Sequence, residues 1–199
     1  MKNLDFENSI NDYKSLIIAG TDEAGRGCCA GPLFVAAVIL PTNYQNSEIN
    51  DSKLLSEANR NKLYDEIVKN ALAYSIVEIP APDIDKYNPK QASKIGMKLA
   101  IQKLKIRPSL VITDYEEIDI NIKQINLVHG DSLSVNVAAA SILAKVSRDR
   151  KMYELAKKYP QYHFEKNKGY CTKSHTQALR NFGACPEHRV SYKNVKVVL

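Results

Sequence analysis

The sequence predicts an α/β domain built on a mixed β-sheet of about five strands flanked by helices. Three observations carry that reading. Short apolar runs alternate with amphipathic stretches, the signature of a layered fold. The first strands are joined by connections too short to hold a helix, so part of the sheet must be antiparallel. From about Leu133 to Lys158 the pattern becomes strongly helical and opens a helical C-terminal extension.

Leu16 to Ala19 is an apolar run that ends on Asp22 and Glu23, the first strand. Gly31-Pro32 leads into Leu33 to Leu40, β-branched and closed by Pro41, which reads as a central strand. Asn43 to Lys53 is a polar loop. A helix begins with Ser56 as N-cap, buries Leu63 and Ile67, and closes at Asn70. Leu72 to Ile79 alternates as a third strand, ended by Pro80 and Pro82. Asp83 to Pro89 is a capped turn or short helix, and Gln91 to Leu104 is a helix despite Gly96.

Leu110 to Asp114 is a short buried strand ending in an acid, and a further strand, Ile125 to Val128, ends at His129-Gly130-Asp131. The long helix follows, with Val135, Ala139, Ile142 and Val146 on one face. Tyr159-Pro160 stops it, Tyr162 to Thr172 is a basic loop, and Ser174 to Phe182 is a short helix capped by Gly183. The remaining tail is basic and weakly patterned.

The totals narrow the partners. The chain of 199 residues carries a net charge of +6. Residues 145–199 hold 13 Lys and Arg against 4 Asp and Glu, which leaves the first 144 residues at −3. A basic C-terminal third beside an acid-bearing region points to a polyanion held by one and processed by the other. Met1 to Asn11 shows no apolar signal core, and the longest apolar run, Leu33 to Leu40, is far too short for a membrane span, so no membrane partner and a cytoplasmic location are expected. The adjacent pair Cys28-Cys29 suits no disulfide framework, and reduced thiols are expected. Cys171, His175, Cys185 and His188 match no compact zinc spacing.

Three apolar strands finish on acids: Asp22 with Glu23, Asp114 and Asp131. Meeting at one sheet edge, these carboxylates would lie within a few ångströms, and like charges so close cannot all stay ionised without a cation. Oxygen ligands favour Mg²⁺ or Mn²⁺ over zinc. Two such ions can clamp the attacking and leaving oxygens of a phosphodiester. Singly, each acid also reads as a cap or turn residue, and the recurrence at three strand ends favours the metal cluster. Gly25-Arg26-Gly27 supplies backbone that a ligand can approach closely. Asp149 reads as the partner of Lys145 one helical turn away, and Lys145, Arg148, Lys166, Lys168 and Lys173 are candidates for a nucleic-acid footprint.

Four stretches in order, Asp22 to Gly27, Asp51-Ser52-Lys53, Ala138 to Asp149 and Lys168-Gly169-Tyr170, resemble ribonuclease HII, with similarity running from about residue 16 to 192. The resemblance implies a ribonuclease H-like fold, with residues 1–158 as the catalytic domain and 159–199 as a C-terminal substrate-binding extension packed on it. It implies a metal-dependent endoribonuclease, monomeric, acting on RNA–DNA hybrids and on ribonucleotide-containing duplex DNA. Two divalent ions, Mn²⁺ or Mg²⁺, would be held by Asp22, Glu23, Asp114 and Asp131, giving 3′-hydroxyl and 5′-phosphate ends. Gly25, Arg26 and Gly27 would read the ribose 2′-hydroxyl through main-chain groups. Tyr170 would pack on the next sugar, and Ser52 and Lys53 would contact phosphate. Tyr115, Asn167 and Cys171 depart from the family pattern of glycine, histidine and glycine. The rival readings are a ribonuclease HIII-type hybrid nuclease, which lacks the arginine found here as Arg26, and a non-catalytic nucleic-acid-binding module.

Overall fold

The computed structural model describes residues 6–42, 44–49, 52 and 55–199. Its centre is one five-stranded sheet, β1 (Ile18–Ala24), β2 (Leu33–Ile39), β3 (Ala73–Ile79), β4 (Leu110–Asp114) and β5 (Lys123–Leu127), ordered β3-β2-β1-β4-β5. β1 pairs antiparallel with β2, and β2 with β3, while β1–β4 and β4–β5 are parallel. The mixed sheet is as expected, but connection length explains only the β1–β2 pair: β2 and β3 are antiparallel although a helix, residues 57–70, lies between them, and β4 and β5 are parallel across residues 115–122, which hold no helix. Helices α1 (Glu57–Asn70), α2 (Ala81–Tyr87), α3 (Pro89–Lys103), α4 (Val135–Lys158), α5 (Phe164–Asn167), α6 (Lys173–Phe182) and α7 (Lys193–Lys196) complete the fold.

β2 is buried along its whole length because both sheet faces are covered. Leu33, Val35, Ala37 and Ile39 face α2 and α3, meeting Ile84, Met97 and Ile101. Phe34, Ala36 and Val38 face α1 and α4, meeting Leu63, Ile67 and Ile142. α4 crosses β1 so closely that a Cβ on Gly20 would lie 2.2 Å from the Asn136 carbonyl carbon. Small residues at Ala138 to Ala140 allow that approach, which sets α4 against the acid-bearing end of β1.

Several boundaries shift, each with a local cause. β1 runs through Asp22 and Glu23 because its ladder with β2 continues to the Ala24–Phe34 pair. α3 starts at Pro89, a residue whose fixed φ suits the first helical position, and Asn88 caps it by accepting from the Lys90 and Gln91 amides. α4 starts after Ser134, whose hydroxyl accepts from the Val137 amide at 3.2 Å. Glu7, far away in sequence, reinforces that cap. Its buried carboxylate accepts from the Asn136 amide at 3.2 Å and the Asn136 side chain at 3.0 Å, placing negative charge at the helix's positive end.

Residues 159–199 are not a separate layer. Tyr162, Phe164, Leu179 and Val195 bury themselves against Met152 and Leu155 of α4 and against Cys29 and Ala30. Among the described residues, no helix is long and apolar enough to cross a membrane.

Candidate active site

The parallel pairing of β1 with β4 sets Thr21 beside Thr113, so the next residues, Asp22 and Asp114, stand side by side near the ends of their strands. Asp131 arrives from the turn after β5, a single 3₁₀ turn at Gly130–Ser132. That turn is tied to β4 because the Gly130 amide donates to Asp114 Oδ1 at 2.8 Å. Asp22 is 5 % exposed and Asp131 2 %, while Glu23 and Asp114 are half-buried.

Burial raises the Asp22 carboxyl well above the usual carboxylate range, and the charges of Glu23 and Asp114 push it further. A bond from Ser141 and the Glu23 amide, 2.7 Å from Asp22 Oδ1, work against that rise. Glu23 is also raised, chiefly by burial, with Asp114 and Glu116 adding to it and Arg26 opposing. The expected convergence is therefore present electrostatically but looser than the sequence predicted. Among the described residues no three acid oxygens lie within 4.8 Å of one another, whereas donor atoms of Cys29, Cys171 and His175 do. Mutual repulsion keeps bare carboxylates apart. The donor chemistry, four carboxylates of which Asp22 and Glu23 are raised by burial and by neighbouring acids, fits hard divalent cations.

Arg26 lies across this edge, its Nε 3.3 Å from Glu23 Oε1 and its Nη1 3.1 Å from Glu116 Oε1. Glu116 was not singled out in the sequence. It is buried and also faces Lys90 at 3.6 Å. Its only sequence signal is adjacency to Asp114, which many turn acids share.

The loop after β1 is held from beneath by two arginines. Gly25 has φ +97°, and a Cβ there would meet Arg148 Nε at 1.9 Å, so only glycine fits. Arg148, 1 % exposed, donates to the carbonyls of Pro32 at 3.0 Å and Ala30 at 3.2 Å. It is a brace, which corrects its expected place in an exposed basic footprint. Arg189 has no exposed surface and donates to the Gly31 carbonyl from Nε and Nη2 and to the Arg26 carbonyl from Nη1 at 3.0 Å. The Tyr192 hydroxyl donates to the same Arg26 carbonyl at 2.5 Å. The weakly patterned tail gave no signal for either role.

Tyr170 stands beside this loop, 50 % exposed. The neighbouring Cys28 thiol and partial burial hold its phenol above the usual tyrosine range. The Gly169 carbonyl accepts from the Cys29 amide at 3.0 Å and the Ala30 amide at 3.2 Å. This docking brings Cys29 and Cys171 to a Cα separation of 6.0 Å, where a disulfide joins them. Reduced thiols throughout were expected; the two segments lie far apart in sequence, so spacing could not reveal the pair. Cys28 and Cys185 remain free.

The departures from pattern each have a place. Tyr115 adopts φ +65°, the conformation that glycine would take without strain, and is exposed. Asn167 accepts from the Gly169 amide at 2.8 Å and donates to the Tyr162 carbonyl at 2.7 Å, shaping the turn before Tyr170. Asp149 pairs with Lys145 at 2.7 Å as the spacing predicts. Ser52 is buried, and its hydroxyl lies 3.0 Å from that of Ser141, so it supports the partner of Asp22 from behind. Lys53 lies outside the described residues.

A mixed sheet with this strand order and acids gathered at one edge defines a nuclease of the ribonuclease H-like class. The solved structure of ribonuclease H2 from Pyrococcus horikoshii OT3 superposes with a TM-score of 0.79 at 23 % identity, covering 91 % of this chain and 96 % of that one. Bst ribonuclease HIII in complex with Mn²⁺ superposes with a TM-score of 0.70 at 19 % identity, covering 92 % and 69 %. The family model for ribonuclease HII matches residues 19–195. A ribonuclease HII of Mycoplasma mycoides subsp. mycoides SC is 48 % identical over 183 residues, 91 % of this chain and 88 % of that one. The chain belongs to the ribonuclease HII family, enzymes that hydrolyse RNA in RNA–DNA hybrids with divalent metal ions.

Proposed function

We propose that this chain cuts on the 5′ side of ribonucleotides in hybrids and at single ribonucleotides in duplex DNA, with Asp22, Glu23, Asp114 and Asp131 holding two Mg²⁺ or Mn²⁺ ions. The observation that carries this is the Asp22 carboxyl, buried at a strand end and raised by Glu23 and Asp114, a state that a divalent cation would relieve. When bound, such ions polarise the scissile phosphate and activate water, leaving a 3′-hydroxyl and a 5′-phosphate. The acids orient that centre. Asp114 is fixed by the Gly130 amide, and Asp22 by the Glu23 amide and by Ser141, itself backed by Ser52.

Choice of cleavage position falls to the loop pair. The Arg26 carbonyl is already occupied by Arg189 and Tyr192. In the Gly25-Arg26-Gly27 segment this leaves the three amides and the Gly27 carbonyl outside the main-chain hydrogen bonds of the described residues, available to a ribose 2′-hydroxyl, the group that separates RNA from DNA. Tyr170, with its hydroxyl turned toward Cys28, offers a ring face to the following sugar. Arg26 bridges Glu23 and Glu116 and must loosen its hold on Glu23 when an ion takes that carboxylate. We assign residues 159–199 to substrate binding and the working unit to a monomer.

The test is a duplex DNA with one internal ribonucleotide, incubated with Mg²⁺ or Mn²⁺. Incision 5′ of the ribonucleotide is expected from the parent and its absence from Asp131→Asn. An intact duplex with the parent in both metals would end the proposal.

A further inference from the structure

Behind Tyr170 two buried histidines meet, and their hydrogen bonds leave one arrangement of protons. The Cys185 amide lies 2.9 Å from His188 Nδ1, closer than the Cys185 carbonyl at 3.3 Å. A backbone amide can only donate, so Nδ1 accepts and neutral His188 carries its hydrogen on Nε2. His188 Nε2 is 3.0 Å from His175 Nε2. His188 therefore donates, His175 Nε2 accepts, and His175 must carry its hydrogen on Nδ1. That nitrogen is 2.9 Å from the Tyr170 carbonyl, which can only accept. The same proton disqualifies His175 as a third metal ligand beside Cys29 and Cys171, although the three donor atoms are close.

Both rings are almost wholly buried, His175 at 1 % and His188 at 2 % exposed. Tyr162 stands edge-on to His188 at 4.7 Å, and Phe164 edge-on to His175 at 5.4 Å. Burial lowers both imidazoles, His188 to about 4 with help from His175, so the pair is neutral at neutral pH as the relay requires. At its far end the relay is registered to the loop after β1. His188 pairs with Ala30 in an isolated bridge, the Gly31 amide donates to the Glu187 carbonyl at 2.8 Å, and the Arg189 amide to the Cys29 carbonyl at 2.9 Å.

We propose that His188 and His175 are positioning residues, a one-way hydrogen-bond relay that fixes the main chain of Tyr170 relative to the Gly25-Arg26-Gly27 loop and so sets selectivity for a ribose followed by a deoxyribose. The role rests on Tyr170 reading that sugar. Its first test needs no variant. Long-range ¹H–¹⁵N spectra of the imidazoles in the metal-free full chain at neutral pH should show His175 protonated on Nδ1 and His188 on Nε2. His175 protonated on Nε2 would overturn the relay.

The second test compares kcat/KM on a single-ribonucleotide duplex with kcat/KM on a continuous RNA–DNA hybrid. His188→Leu should leave His175 Nε2 a buried acceptor without its donor, loosen the ring that holds the Tyr170 carbonyl, and lower the ratio by about tenfold, the scale of a slight misplacement of a positioned group. His188→Gln, which keeps a side-chain N–H for His175, should recover most of that loss and also serves if the leucine variant does not fold. If the folded His188 variants keep the parent ratio while Tyr170→Ala loses it, the relay fails and the Tyr170 reading stands. If Tyr170→Ala keeps the parent ratio, both fail.

Discussion

The acid edge and the loop pair beside it are built in opposite ways. Asp22, Glu23 and Asp114 owe their places to strand register, and Asp131 to a turn tied to β4 by one amide. Their placement is unfavourable to the metal-free fold, because burial and then the charges of Glu23 and Asp114 raise Asp22, and burial with Asp114 raises Glu23. The loop at 25–32 and its Tyr170 neighbour owe their places to groups that arrive much later in the chain: Arg148, Arg189, Tyr192, the two histidines and a disulfide. There the buried arginines and histidines find hydrogen-bond partners, and the arrangement stabilises the fold. The acids of the edge are held under repulsion, and the loop beside them is held by attraction.

That contrast can be broken most sharply at Asp22. Replacing Asp22 by Asn should lower the cleavage rate by about 10³-fold, the scale of removing a principal electrostatic contact, while raising the thermal midpoint of the metal-free chain. The sign follows from linkage. A carboxyl raised in the folded state destabilises as pH rises through its folded value, so the gain should grow with pH from the acid range to neutrality. Activity and melting assays on one preparation check both halves; a lower midpoint would contradict the account of the edge.

Arg189→Leu should do the reverse. It strands the Gly31 carbonyl in a buried site and leaves the Arg26 carbonyl only the Tyr192 hydroxyl, a loss of about 3–5 kcal/mol on the scale of breaking a buried network. Denaturant unfolding measures it, and Arg189→Lys should recover only part, because one ammonium cannot span both carbonyls. Reduction of Cys29–Cys171 should cost about 2–4 kcal/mol, as loss of a cross-link closing a long loop typically does. Melting with and without a dithiol reductant reads this directly, and Cys171→Ser should abolish the difference.

The smallest effect expected is in the pH dependence of the brace. His188 is depressed from 6.5 to about 4 and His175 is lowered as well, so their contribution is complete above pH 6.5 and is lost as pH falls toward 4. The midpoint should decline across that window, and His188→Gln should flatten the decline. Facing groups that must be accounted for are Cys185 and the rings of Tyr162 and Phe164.

The same division explains what could be read from the sequence. The strands and the long helix were legible because apolar periodicity reports burial directly; the direction of each strand pair was not, since connection length misleads at β2–β3 and β4–β5. That Asp22, Glu23 and Asp114 sit at strand ends was legible because they close apolar runs, whereas Asp131 lies in a turn beyond β5. Arg189 was not, since a buried arginine in an unpatterned tail looks like any surface cation until its acceptors are known. Glu116 was hidden beside Asp114, and Ser52 looked like a phosphate contact although its hydroxyl is directed inward. The Cys29–Cys171 bond was out of reach because it depends on a docking of Gly169 onto Cys29 and Ala30 that no local pattern encodes.

The dependence of Arg26 on Arg189 also has an order in time. The carbonyl of Arg26 waits for a side chain 163 residues further on. At a synthesis rate of roughly 5–20 residues per second, that wait is about 8–33 s. By its end every acid of the edge has been made, so in a growing chain the acids are complete before the loop beside them can be braced.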